Sequence, residues 1–172
     1  LAMDPSVVGV NYTTVDGTIS RNVAPTTITP DSNLFNGIYG NSTATSVFSG
    51  MTSGDWIQWN PTLTIPTSLV KLYLRNGDLD NTTISYSLDE GSSYTDLPQV
   101  PSGAGAWVEL GNIAISSSQG IRVKHTTNGG GNSVNWSGIE VNGLALINDT
   151  AIGADSSGLE NNFYGNNLVA AS

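Results

Sequence analysis

From Leu69 to Asn76 the chain alternates with period two: Val70, Leu72 and Leu74 fall on one side, Lys71, Tyr73 and Arg75 on the other. Successive side chains of a β-strand point to opposite faces, so this run predicts a half-buried strand with its aliphatic set in the core. The same period puts Ile84, Tyr86 and Leu88 on one face of a strand over 83–88. Asp89-Glu90-Gly91 is turn chemistry ahead of a strand at Tyr94–Leu97, which predicts a hairpin. Trp107–Leu110 and Ile113–Ile115 read as two short strands with a turn or kink at Gly111-Asn112. Ile121, Val123 and His125 then alternate with Arg122, Lys124 and Thr126 before the flexible glycine run from Asn128 to Asn132.

Between Val134 and Val141 the alternation changes phase. Val134 and Trp136 have even parity and Ile139 and Val141 odd parity, so a β-bulge at Ser137-Gly138 is needed to place all four inside. Asn142-Gly143 is a strong two-residue hairpin signal, followed by a last strand over Leu144–Ile147. Turn signals recur throughout and helical periodicity is absent, which predicts an all-β, antiparallel two-sheet sandwich of about eight to ten strands. Its sheets, about 10 Å apart, are filled by Val70, Leu72, Leu74, Ile84, Tyr86, Ile121 and Val123, so a polar ligand is expected at the periphery.

The sandwich is assigned to residues 6–150. Leu1–Pro5 reads as a vector remnant and is given no structural weight, and 151–172, rich in Gly, Ala, Ser and Asn without sustained period, reads as a linker or arm toward a following domain.

Three runs in order resemble the galactose-binding-like jelly rolls, the discoidin-type and carbohydrate-binding modules: Ser32-Asn-Leu-Phe-Asn-Gly37, Asp55-Trp-Ile-Gln-Trp-Asn60 and Trp136-Ser-Gly-Ile-Glu-Val-Asn-Gly143. The resemblance covers residues 32–143 and includes the alternating strand and an arginine, Arg122, where the family places one. It implies a jelly-roll sandwich. It also implies a calcium site beside the first turn, with Asn36, Thr43 and Glu140 as the oxygen donors; the family usually has Asp where this chain has Asn36, which weakens that site. The plainer reading of the same residues is a turn at Asn36-Gly37 and an outward strand residue at Glu140. The segment from Ala154 to Leu168 is similar to the junction in phage tail and fibre proteins where a sandwich leads into a lectin-like domain.

Composition narrows the function classes. Fourteen acids against five bases give a net charge of −9, the opposite of a surface that displaces counterions from phosphates, so nucleic acid is not the expected partner. No cysteine is present, which removes disulfides and thiolate metal sites and suits a cytosolic origin or an assembly built there. The apolar runs fall well short of the roughly 18 residues of a membrane span, so no membrane insertion is expected, and no signal peptide is evident.

Catalysis is not expected. The single histidine, His125, lies on a core face, and the carboxylates of Asp78-Leu-Asp80-Asn81 and Asp89-Glu90 sit in turns, where Asp and Asn serve the backbone. Asp78, Asp80 and Asn81 resemble an oxygen-rich metal loop that lacks its downstream acid. The rings carry more: Tyr39 and Tyr94 lie in or beside polar loops and Tyr73 on the outer face of its strand, where a sugar ring stacks well, whereas Trp56, Trp59 and Trp107 are expected in the core or at a subunit contact. Four of the five bases, Lys71, Arg75, Arg122 and Lys124, project from the outer faces of two strands. Paired, those strands make a cationic patch around Tyr73 suited to an acidic glycan; the alternative is cross-strand pairing with acids such as Glu109.

The residues therefore nominate a peripheral ligand site at Tyr39, Lys71, Tyr73, Arg75, Arg122 and Lys124. The expected protein is a non-catalytic module of a phage tail or fibre, binding a host-surface glycan or spacing the fibre among other virion subunits, with a homotrimer as the natural assembly. A carbohydrate-binding module of a secreted, extracellular polysaccharide-degrading enzyme and a purely structural virion component are the alternatives.

Overall fold

The computed structural model describes residues 17–22, 31–39, 53–76, 83–97, 100, 105–126 and 134–147. They form nine strands and one short 3-10 helix, Asp31–Phe35. The strands are β1 (Gly17–Arg21), β2 (Trp56–Pro61), β3 (Ile65–Asn76), β4 (Ile84–Ser87), β5 (Thr95–Asp96), β6 (Ala106–Ile115), β7 (Ile121–His125), β8 (Val134–Val141) and β9 (Leu144–Ala145). They make a five-stranded sheet, β1-β2-β7-β4-β5, and a four-stranded sheet, β6-β3-β8-β9. Every strand pair is antiparallel. The chain steps repeatedly from one sheet to the other (β2 to β3 to β4, then β5 to β6 to β7 to β8), the alternation of a jelly roll.

The core follows the period-two pattern. Val70, Leu72 and Leu74 of β3 and Trp136 of β8 are fully buried, as are Ile57, Ile121 and Val123 of the facing sheet, and Trp59 and Ile84 are nearly so. Each large aliphatic side chain removed from water contributes about 1.5–3 kcal/mol before entropy is charged against it. Tyr86 and Leu88 pack against this core from its margin. The 3-10 helix adds Leu34 and Phe35, the latter with its ring 5.3 Å from that of Trp59. His125 is 3% exposed and points inward, as its parity required.

The phase change in β8 is a bulge. Tyr73 faces Gly138 and Leu74 faces Trp136, so Ser137 is the extra residue, and Val134, Trp136, Ile139 and Val141 all become buried. Asn142 and Gly143 take positive φ (51° and 82°), the primed geometry that matches strand twist, and join β8 to β9. β9 is shorter than expected, Leu144–Ala145 alone.

One expectation about β6 is corrected. The two short strands are a single strand, Ala106–Ile115, because Gly111-Asn112 does not turn the chain: Gly111 pairs with Val70 and Glu109 with Lys71, leaving Leu110 as a second bulge. A bulge keeps the ladder running where a turn would reverse it.

The β4–β5 hairpin is held by Asp89. Its Oδ1 accepts from Ser87 Oγ at 2.7 Å and from the Ser93 amide at 2.9 Å, and its Oδ2 accepts from Ser93 Oγ at 2.6 Å. The hydrogen bonds from Ser93 and then Ser87 lower its pKa from 3.8 to about 2. A carboxyl depressed in the folded state adds stability that is complete above its unfolded pKa and is lost as pH falls through the folded value. The hairpin is therefore expected to loosen between about pH 4 and pH 2. Carbon-detected NMR should show the Asp89 carboxyl titrating near 2, and Asp89→Asn should abolish the pH dependence of the hairpin amides in that window. In the core, Trp136→Ala is expected to cost about 3–5 kcal/mol, read from the urea midpoint at constant m-value.

Candidate functional site

The two strands that carry the predicted cations lie in different sheets: β3 in the four-stranded one and β7 in the five-stranded one. The single patch expected around Tyr73 is therefore split. Lys71 and Arg75 lie on the outer side of one sheet, Arg122 and Lys124 on the outer side of the other, because both strands bury their aliphatic sets against the same core.

On the four-stranded sheet, Tyr39 and Tyr73 are brought together. Tyr39, from the turn after the 3-10 helix, lies 5.4 Å from Tyr73 and 5.0 Å from Trp107, and Tyr73 lies 5.4 Å from Trp107, ring centre to ring centre. The two contacts to Trp107 are edge-to-face, an arrangement that adds about 0.5–1.5 kcal/mol per pair beyond area burial. The loop position and the strand position foreseen as separate candidates thus form one site. Trp107, expected inside, completes it: it is half-buried on the outer face, since Val108 takes the inward position. The signal was available, because the parity of β6 set by Val108 leaves Trp107 outside.

Gly138 is the floor of this cluster. A Cβ there would approach the Tyr39 ring at 2.7 Å and the Trp107 ring at 3.1 Å, so the bulge in β8 both restores the core and opens room for two rings above it. The Tyr39 hydroxyl is buried without a hydrogen-bond partner among the described residues, and burial, followed by the charge of Glu140, pushes its pKa up. Asn135, opposite Arg75 on β8, is 2% exposed and its Oδ1 likewise has no partner among them. A buried polar atom left unpaired costs about 1–3 kcal/mol.

Lys71 Nζ is 3.0 Å from Glu140 Oε1, its neighbour across the ladder, and Glu109 faces it from β6. The hydrogen bond to Glu140 is the main reason the Lys71 pKa is raised. The cross-strand alternative therefore holds at Lys71. It also bears on calcium. Glu140 faces an ammonium, and Asn36 Oδ1 accepts the Ile38 amide at 2.8 Å while its Nδ2 donates to Asn33 Oδ1, an Asx turn. Thr43 lies outside the described residues, as do Asp78, Asp80, Asn81, the glycine run 128–132 and the arm 151–172. As placed, Asn36 and Glu140 fit the turn and strand reading and do not by themselves supply a calcium shell.

On the five-stranded sheet Arg122 stacks over Trp56, its guanidinium carbon 3.9 Å from the ring centre, and Lys124 Nζ lies 4.5 Å above Tyr94. Trp56 is thus a second tryptophan that faces out, outside the core that Ile57 and Trp59 occupy, where the expectation is core or a subunit contact. Arg122 Nε donates to Gln58 Oε1 at 2.7 Å.

No family model matches the chain, and no curated protein is similar to it. Among solved structures it is similar to the CBM32 of AlyQ in complex with 4,5-unsaturated mannuronic acid, with 18% identity, a TM-score of 0.42, and coverage of 72% of this chain and 92% of that one. A likeness of that size does not carry the neighbour's ligand or binding residues to this chain.

Gly138→Ala is expected to displace Tyr39 and Trp107 while the β8 ladder persists. The near-ultraviolet circular dichroism of the aromatic cluster should change, and the far-ultraviolet spectrum should stay that of a β-protein.

Proposed function

We propose that this sandwich is a non-catalytic glycan-binding module whose primary site is the outer face of the four-stranded sheet. The observation that carries the reading is the convergence there of Tyr39, Tyr73 and Trp107 beside two buried polar atoms without hydrogen-bond partners among the described residues, Tyr39 Oη and Asn135 Oδ1. Sugars present apolar C–H faces and hydroxyl edges together. A ring face packs on aromatic carbon, and hydroxyls supply the donors and acceptors that unpaired buried groups call for. Lys71 and Glu140, joined to each other, offer further hydrogen bonds at the rim without a large net charge.

The interior supports no rival site of this kind, since aliphatic and tryptophan side chains fill the space between the sheets. A buried histidine on the core side of β7 supports no acid–base role. The setting we propose for the module is a phage tail or fibre on the virion, supported by the similarity of 154–168 to a fibre junction; a trimeric assembly belongs to that setting. A secreted polysaccharide-degrading enzyme is the alternative, and the sequences flanking residues 1 and 172 separate the two.

A glycan array probed with the intact chain tests the binding reading. Tyr73→Ala and Trp107→Ala should each weaken the best neutral ligand several-fold, about 1 kcal/mol per ring, measured on protein shown by far-ultraviolet circular dichroism to be folded at the assay temperature, since loss of ring contacts also lowers the melt. A chain that binds no glycan, or whose affinity is indifferent to both substitutions, overturns this assignment.

A further inference from the structure

Arg122 and Lys124 differ from Arg21 and Lys71. Arg21 is bonded to Asp31 and Lys71 to Glu140, whereas neither Arg122 nor Lys124 forms an ion pair among the described residues. The chain as a whole carries net charge −9, so two adjacent cations without a carboxylate are contrary to its average surface. Two nearby acids are bonded to serines, and Glu90, in the same turn, forms no ion pair among the described residues. Asp89 is occupied by Ser87 and Ser93, and Asp96 Oδ1 accepts from Ser85 Oγ at 2.6 Å.

The cations are also held in place. Arg122 Nε donates to Gln58 Oε1, Gln58 Nε2 donates to Asn60 Oδ1 at 2.8 Å, and Asn60 Nδ2 donates to the Ser118 carbonyl at 3.1 Å. Gln58 is 4% exposed, so this relay fixes the guanidinium from beneath while Trp56 supports its flat side. Stacking on a ring and a bond through Nε leave the Nη edge pointing elsewhere.

That edge meets Gly91. A Cβ at Gly91 would collide with Arg122 Nη1 and lie 2.6 Å from the Tyr94 hydroxyl, and Gly91 has φ of +91°, so the position is closed to other residues on both counts. The absent side chain lets a guanidinium and a phenol converge over the turn, with the Lys124 ammonium above the same tyrosine ring. Three donors of which two are cationic, preorganised and free of acid partners, make a receptor for an oxyanion.

We propose that the outer face of the five-stranded sheet is a second binding face, which takes an oxyanion carried on a sugar, a uronate carboxylate or a sulfate ester. Arg122 and Tyr94 grip the oxyanion over Gly91, Lys124 adds charge, and the exposed edge of Trp56 meets the ring that bears it. The sugar in this statement rests on the glycan-binding reading above; the oxyanion rests on this face alone.

Isothermal titration of the full chain with oligogalacturonate, its methyl ester and a sulfated galactan oligosaccharide tests it. At least one charged ligand should bind, with Trp fluorescence changing; the winner identifies carboxylate or sulfate. The methyl ester should bind at least tenfold more weakly than the free acid if carboxylate is the ligand. Affinity should fall at least tenfold in Arg122→Gln and several-fold in Lys124→Gln and Tyr94→Phe, and it should decline with added salt as partly exposed charges are screened. Tyr94→Phe removes only a hydroxyl, which keeps the test valid if Arg122→Gln lowers the melt. Tyr73→Ala, on the opposite sheet, should leave charged-ligand binding unchanged. Binding of neither charged ligand, or affinity indifferent to all three substitutions, overturns the proposal. Loss through Tyr73→Ala in place of Arg122→Gln moves the ligand to the other face and overturns it equally. A neutral glycan lost only in Tyr73→Ala upholds the first site while this one fails, so the two readings fail separately.

Discussion

The inward stripe of β3, Val70, Leu72 and Leu74, packs into the space lined from the other sheet by Ile57, Trp59, Ile121 and Val123. This contact has no directional bonds and is set by area and fit, yet it decides which side chains of β3 and β7 face outward. With the aliphatic positions committed to the interior, period two leaves Lys71, Tyr73 and Arg75 outside on one sheet and Arg122 and Lys124 outside on the other. The separation of the two cationic pairs follows from the core.

Bulges let the chain satisfy that constraint while adjusting what it presents outside. At Ser137 the extra residue lets Trp136 and Ile139 both be buried despite opposite parity, and it places a glycine, Gly138, beneath Tyr39 and Trp107. A regular ladder would have lost either a core tryptophan or the room for the rings. The bulge at Leu110 does the matching work in β6, letting Val108 and Ile115 both be buried despite opposite parity along one continuous strand. Core packing thus depends on both irregularities, and the aromatic face on the one at Ser137.

The two outer faces differ in chemistry. One is aromatic, with its nearest charges mutually cancelled by the Lys71–Glu140 pair. The other is cationic and ordered by a side-chain relay that begins at Arg122 and ends on a backbone carbonyl. Neither depends on a deep cavity.

Much of this was written in the chain. The stripe of β3, the hairpin at Asp89-Glu90-Gly91, the inward His125, the turn at Asn142-Gly143 and even the bulge at Ser137-Gly138 follow from local rules of period and turn chemistry, because each involves residues a few positions apart. Tyr39, Tyr73 and the cations were also visible as outward candidates. What the sequence could not supply was partnership. Whether β3 and β7 share a sheet, whether Tyr39 reaches Tyr73 and Trp107, and whether Arg122 meets Trp56 depend on which strands the chain places side by side. Those are contacts between residues 34 to 68 positions apart, as for Tyr39 with Tyr73 and with Trp107, and no local period records them. Hydrophobic patterning assigns a side to each residue; only the closing of two sheets over one core decides what stands beside it.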